Sequence, residues 1–427
     1  MLDLPFGFTV SRLGECRIQS PISDIHFVEE DENVLFHCDL EEIERLLKSG
    51  RRPPFFEKAG PREKIYFDPS KLKCGIVTCG GLCPGINDVI RAIVLALYYH
   101  YGVRNILGFL YGFEGLSFRY GHSPIELNPA VVDDIHQKGG TILGSSRGPQ
   151  DVSEMVDSLE QMNIGILFTI GGDGTMRGAQ AIADEIGRRS LKIGVVGVPK
   201  TIDNDIAFVE QSFGFATAVS EATRSIYSAH TEAEGARNGI GLVKLMGRES
   251  GFIAAYASLA NSDVNYCLVP EVKFTLEGLH RALKQRLERR HHAVIVVGEG
   301  AGQDLMETSG EKDASGNIRL GDIGTFLKDH INETFRNIGM EITLKYIDPS
   351  YNIRSVPANA HDSSFCLLLG HNAVHAAMAG RTNVVVGFWR NEFTNLPIRA
   401  AVSERQKIDP NGWLWSSVLA STGQPKD

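Results

Sequence analysis

Between Lys73 and Phe388 the chain carries nine apolar runs of five to seven residues, with helix-patterned stretches between them. The runs are KCGIVTC, NILGFL, GILFTI, IGVVGV, GIGLVKL, NYCLV, AVIVVG, EITLKY and NVVVGF. As a set they lack the strict alternation of half-exposed strands, so they suit strands buried on both faces. Stretches such as GINDVIRAIVLALYYHY and LEGLHRALKQRLERR read as helices. Strands alternating with helices predict an α/β protein with a doubly wound, mostly parallel sheet. Ligands of such folds sit at the carboxyl ends of the strands. The chemistry is therefore to be sought in the loops there, where many of the 45 glycines fall.

A length of 427 residues with 43% hydrophobic content is enough for two core-bearing domains. Residues 1–72 are mixed, with the proline-rich, charged stretch RRPPFFEKAGPREK. They read as an extension packed over the main body. The net charge of −9 argues against non-specific binding to nucleic acid or to an anionic membrane. It leaves room for phosphorylated substrates, which need only a local cluster of cations. No apolar run approaches the ~18 residues of a membrane span. The first residues lack the basic stretch and apolar run of a secretory signal. Seven scattered cysteines fit free thiols in a reducing, cytoplasmic setting. Cys79 and Cys83 are four apart, but no second ligand pair stands nearby. Small residues in a tight turn are the simpler reading.

Three loops carry the candidate chemistry. The first, TCGGLCPGIN from Thr78 to Asn87, follows a strand and opens a helix. Its glycines let backbone amides approach a phosphate, and the helix start adds positive partial charge. The lysine and hydroxyl of a P-loop are missing, so alone it equally fits a ligand-free turn. The second, Gly171-Gly172-Asp173-Gly174-Thr175, places a carboxylate between glycines at a strand end, suited to Mg²⁺ that bridges phosphate oxygens. Asp173 could instead be a helix N-cap. The third, Pro199-Lys200-Thr201-Ile202-Asp203-Asn204-Asp205, has carboxylates two residues apart. In an extended loop they point the same way, and without a cation they would repel. Bound Mg²⁺ would relieve this, leaving one carboxylate for the metal and one as base. A solvated Asp/Asn turn is the alternative.

A basic and polar group completes the set: Arg147, Arg248, Lys345, Tyr351 and Arg354, all at loops suited to phosphate oxygens. Glu299 ends a strand, where it could take a hydrogen bond from a sugar hydroxyl or cap a loop. His371 and His375 have zinc-compatible spacing but no third ligand. The basic run at the end of LKQRLERRHH is explained by the negative end of a helix dipole.

Taken together, GGxxPGxN, GGDGT, PKTIDND, MGRESGF and DPSYNIR, in this order from about Lys73 to Arg390, resemble the phosphofructokinases. GGDGT also occurs in NAD kinases and diacylglycerol kinases, but the other motifs point away from both. The resemblance implies two Rossmann-like domains with the active site in the cleft between them. It implies a nucleotide domain over 73–213 and 350–390, and a sugar-phosphate domain over 214–349 and 391–427. The implied reaction passes the γ-phosphoryl of ATP to the 1-hydroxyl of fructose 6-phosphate, with Mg²⁺. Asp203 would be the base, and Thr201 and Arg147 would steady the phosphoryl group. Gly81, Gly148, Gly172, Gly174, Thr175 and Phe113 would line the donor. Asp173 would hold Mg²⁺, with Asp205 assisting. Ile202, Met246, Gly247, Arg248 and Glu299 would line the sugar, and Lys345, Tyr351 and Arg354 the 6-phosphate.

The same resemblance bears on the donor. Pyrophosphate-dependent members typically carry aspartate where Gly174 stands, and that carboxylate would collide with the α-phosphate of ATP. Lys200 resembles the pyrophosphate branch, so the pair resembles the ATP-using subgroup of plants and trypanosomatids. A pyrophosphate-dependent enzyme is the alternative, and a non-catalytic sugar-phosphate sensor is the alternative of another class. Gly239 falls where many bacterial members place an arginine from a neighbouring subunit, with Arg237 nearby as a candidate substitute. Lys345 and Tyr351 replace their arginine and histidine. The family implies a homo-oligomer, dimer or tetramer, and allosteric control.

Overall fold

The computed structural model describes residues 7–307, 310–311 and 318–425, and the chain divides into two units. The first comprises 1–201, 206–214 and 357–404, and the second 202–205, 215–356 and 405–427.

All nine apolar runs form strands. In the first unit, Lys73–Thr78, Asn105–Phe109, Ile166–Gly171, Gly194–Pro199 and Val384–Trp389 pair in parallel within a nine-stranded sheet. Ile166–Gly171 and Gly194–Pro199 are buried along their whole length, as strands covered on both faces must be. Both edges of the sheet are antiparallel. Ile125–Glu126 closes one edge, and Glu392–Pro397, Phe55–Lys58 and Asn33–Leu35 extend the other. The N-terminal residues thus enter the sheet itself. A buried charge cluster fixes them there: Arg381, 1% exposed, bonds Glu57 at 2.9 Å and Glu30 at 2.7 Å. Burial pushes the Glu57 carboxyl up, but Arg381 and Asn395 hold it below its ordinary value.

The second unit has a four-stranded, all-parallel sheet, ordered Tyr266–Leu268, His292–Gly298, Gly239–Leu245, Thr343–Ile347. Its helix Leu276–Arg290 spans the expected stretch, with Thr275 as N-cap and Arg289 and Arg290 in the last turn. The other expected helix, from Gly85 to Tyr101, is α-helical over Ile86–Leu95 and then widens into a π turn over Ala96–His100. It packs against Ala360–Met378, where Gly370 allows close approach, since a Cβ there would lie 2.5 Å from that of Ala92.

Candidate active-site loops

In the first unit, three parallel strands end side by side and release three loops. Thr78 pairs with Ile170, and Gly171 with Pro199. The loop after Thr78 is stitched to residues 141–147. The Thr78 hydroxyl donates to the Gly144 carbonyl (2.7 Å), the Gly80 amide to Ser146 O (3.2 Å) and the Ser145 hydroxyl to Gly80 O (2.6 Å). This brings the exposed Arg147 beside the glycine loop. Gly148, with φ +104°, turns the chain out of it. Lys200 is buried, and its ammonium donates to the Gly81 carbonyl at 2.8 Å.

Gly172 stands at the N-cap of helix Asp173–Arg188 with no side chain to cap it. The amides of a helix start, with the positive end of the helix dipole, favour a nearby anion. Thr175 is buried, its side chain folded over Gly171, where a Cβ would lie 2.2 Å from its hydroxyl. Asp173 lies inside the first turn, with Arg177 at 3.4 Å from its carboxylate. Gly174 differs from its neighbours. It is exposed, and a Cβ added there meets no described atom within 4 Å. The fold itself does not require glycine at this position. Phe113 is buried against the same helix, over Gly178, where a Cβ would clash at 2.6 Å. Burial pushes the neighbouring Cys79 thiol up to about 12, which makes it inert, and Cys83 is buried with its thiol donating to the Phe213 carbonyl at 3.3 Å.

In the second unit, the loop after Gly239–Leu245 carries Met246, Gly247 and Arg248, and Glu299 follows His292–Gly298. The Glu299 amide donates to Leu245 O (2.9 Å) and that of Gly300 to Gly247 O (3.0 Å), zipping the two loops together. Burial raises the Glu299 carboxyl above its ordinary value, against Arg248, Lys244 and Arg354. The structure adds Lys244, which sequence reasoning missed. Its ammonium lies 2.8 Å from Asp348 and 3.3 Å from Asp322. Asp348 in turn accepts from the Ser350 amide at 3.1 Å, at the start of helix Ser350–Ser355, so Tyr351 and Arg354 are helical and Lys345 lies in strand Thr343–Ile347, where loops were expected. The guanidinium of Arg354 sits 4.8 Å over the Tyr351 ring. Lys345 is half-exposed, 3.9 Å from Glu232.

Three further expectations change. The loop bearing Asp203 and Asp205 is not extended: Asn204 is left-handed at φ +56°, a conformation asparagine tolerates. The carboxylates therefore do not share one side by strand geometry. Nor does the pair lack a cation, because Arg405 bonds the buried Asp205 carboxylate. Finally, Gly239 is a packing glycine: a Cβ there would lie 2.0 Å from Ala233 O, so no larger residue fits. Arg237 is 81% exposed, 3.6 Å from Glu341.

The sequence model of the phosphofructokinase family matches residues 73–377. The chain belongs to this family. It is 52% identical to an ATP-dependent 6-phosphofructokinase of Borreliella burgdorferi, over 98% of this chain and 97% of that one. It is 47% identical to an ATP-dependent 6-phosphofructokinase of Trypanosoma cruzi, over 87% of this chain and 77% of that one. A crystal structure of a pyrophosphate-dependent phosphofructokinase from Marinobacter aquaeolei shares the fold. Its TM-score is 0.68 at 18% identity, covering 83% of this chain and 93% of that one.

A donor set for Mg²⁺ in such a family needs few protein ligands, since the ion keeps waters and takes phosphate oxygens. Asp173, at a helix start beside glycine amides, fits that demand. Asp205 fits it less well, because its carboxylate already carries an arginine. Among the described residues no three His, Cys, Asp or Glu converge as a metal cluster. His371 and His375 are neutral, held by burial at about 4 and about 3. Among the same residues no helix is long and apolar enough to cross a membrane.

Proposed function

We propose that this chain is an ATP-dependent 6-phosphofructokinase, transferring the γ-phosphoryl of ATP to the 1-hydroxyl of fructose 6-phosphate. The observation that carries the donor is Gly174. The protein leaves open space at its Cβ, so the missing side chain serves a bulky ligand and not the packing. The amides after Gly172 and the ammonium of Lys200 hold donor phosphates, with Gly81, Gly148 and Thr175 lining them and Phe113 backing the helix. Asp173 holds Mg²⁺, which supplies neutralisation of the phosphate charge when bound.

Asp203 takes the proton of the attacking hydroxyl, and Thr201 and Arg147 steady the transferring group. Ile202, Met246, Gly247, Arg248 and Glu299 hold the sugar. Lys345, Tyr351 and Arg354 hold its 6-phosphate. Residues 1–201, 206–214 and 357–404 form the donor domain, and the second unit the sugar-phosphate domain. Rate then comes from positioning and charge stabilisation, as phosphoryl transfer requires. The working form is a cytoplasmic homo-oligomer.

The test is formation of fructose 1,6-bisphosphate from fructose 6-phosphate and Mg²⁺, with ATP and pyrophosphate run side by side. Product with ATP alone supports the reading. Product with pyrophosphate alone overturns it and gives the donor to the Lys200 loop.

A further inference from the structure

Asp205 is buried, 2% exposed, two residues from the assigned base. A buried carboxylate without a counter-charge costs several kcal/mol, so its partner matters. That partner, Arg405, lies 200 residues away, in a segment beyond the part of the chain that the family model matches. The contact is not isolated. The Gln406 amide donates to the Asp205 carbonyl at 2.9 Å, and the Ser250 hydroxyl donates to the Gln406 carbonyl. The Arg405 guanidinium also lies 3.8 Å from Glu249. Next along the segment, the Ile408 amide (2.9 Å) and the Gly251 amide (3.0 Å) both donate to Glu271. Residues 405–408 thus run between the loop that ends at Asp205 and the loop that follows Met246-Gly247-Arg248, bonding both.

We propose that Arg405 is a positioning residue for phosphoryl transfer: as the counter-ion of Asp205, it fixes the turn that presents Asp203 and ties that turn to the sugar-holding loop. Arginine suits the task, because its rigid fork can meet the Asp205 carboxylate and still reach toward Glu249. The inference assigns Asp205 to a protein cation and leaves Mg²⁺ to Asp173. It rests on the reading of the previous subsection.

The test uses the full chain. Arg405→Ala should lower kcat about 10²-fold, the cost of misplacing a reacting group by about an ångström. KM for ATP should stay within about threefold. Added guanidinium should restore part of the rate, which it would not do for a general loss of structure. Asp205→Asn should cost about as much, and the double variant no more than the worse single one, since the two act as a unit. The Mg²⁺ concentration for half-maximal rate should stay within about twofold in Asp205→Asn.

A rate within about threefold of wild type in folded Arg405→Ala would overturn the proposal. So would multiplicative losses in the double variant, or a tenfold rise in the Mg²⁺ requirement of Asp205→Asn, which would return that carboxylate to the metal. Should Arg405→Ala not fold, Arg405→Gln removes the charge while keeping part of the length and hydrogen-bonding groups, and a wild-type rate there is equally fatal. Wild-type protein that makes no product from ATP sinks the assigned activity instead. The clasp is then decided by thermal unfolding of the same variants, where additive Tm shifts would refute it.

Discussion

The two sets of loops solve the same problem with different materials. In the first unit, the loops after Thr78, Gly171 and Pro199 are joined mostly through amides, carbonyls and hydroxyls, with the Lys200 ammonium on the Gly81 carbonyl as the charged exception. In the second unit, backbone amides also join the loops after Leu245 and Gly298, but the segment after Ile347 and the turn at Asp205 are held by charge: Lys244 with Asp322 and Asp348, and Arg405 with Asp205. A cradle of glycines and backbone groups is sensitive to added volume and added negative charge, because little there can move or compensate. A charged clasp tolerates volume but not the loss of one partner, which strands the other. Substitutions that add a group should therefore damage the first region, and those that remove a charge should damage the second.

The largest effect is expected at Asp203. Asp203→Asn keeps volume and fold while removing the proton acceptor, and turnover should fall by about 10²–10⁴. Steady-state rates with ATP, alongside fructose 6-phosphate binding by calorimetry, check this. Near-normal turnover would remove Asp203 as the base. Next comes Gly174→Asp, the test of added negative charge in the glycine cradle. The protein has room for the carboxylate, so Tm should hardly move. Like charge against phosphate costs several kcal/mol, so kcat/KM for ATP should fall about 10²-fold or more. Use of pyrophosphate should suffer far less. Undiminished ATP activity would refute the steric argument.

Lys244→Met tests charge removal in the second region. Burial pulls the Lys244 ammonium down, yet Asp348 and Asp322 hold it well above its ordinary value. The methionine fills the space and leaves two carboxylates facing each other. KM for fructose 6-phosphate should rise about tenfold through displacement of the helix that carries Arg354, with KM for ATP within about twofold. Lys244→Arg should recover most of this. An equal rise in both KM values would mean that the lysine serves general stability and not the helix that carries Tyr351 and Arg354.

How much of this was legible follows the same division. The nine apolar runs were read correctly because burial on both faces leaves an unbroken local signature. Glu392–Pro397 and Phe55–Lys58 were not seen, since EFTNLP and FFEK mix charge with apolar residues, as antiparallel strands outside the parallel core of a sheet can. The glycine loops were legible because their chemistry is contiguous. The charged clasps were not: Lys244 meets Asp348, and Arg405 meets Asp205, across about a hundred and two hundred residues respectively. No local pattern marks such a pair. Even within the PKTIDND loop, periodicity suggested an extended chain, and the left-handed Asn204 broke it.

The smallest effect at neutral pH lies at His371 and His375, which burial keeps uncharged. Helix Ala360–Met378 carries both, packed on the helix that begins after the first glycine loop. Burial, then His371, His100 and Arg62, hold His375 at about 3, and burial with His100 holds His371 at about 4. Tyr101 bonds His375 Nδ1 at 2.9 Å. In the unfolded chain both should titrate near 6.5. Below that pH the unfolded state binds protons that the folded state refuses, so stability falls as pH drops from about 6.5 toward 4. His375→Gln keeps a partner for Tyr101 and removes the titration. Activity at pH 7.5 should stay within about twofold, while the drop in Tm between pH 7.5 and 5 should become shallower than in wild type. An equally steep drop would mean that protonation at this helix costs the fold nothing, and that the first unit tolerates charge there after all.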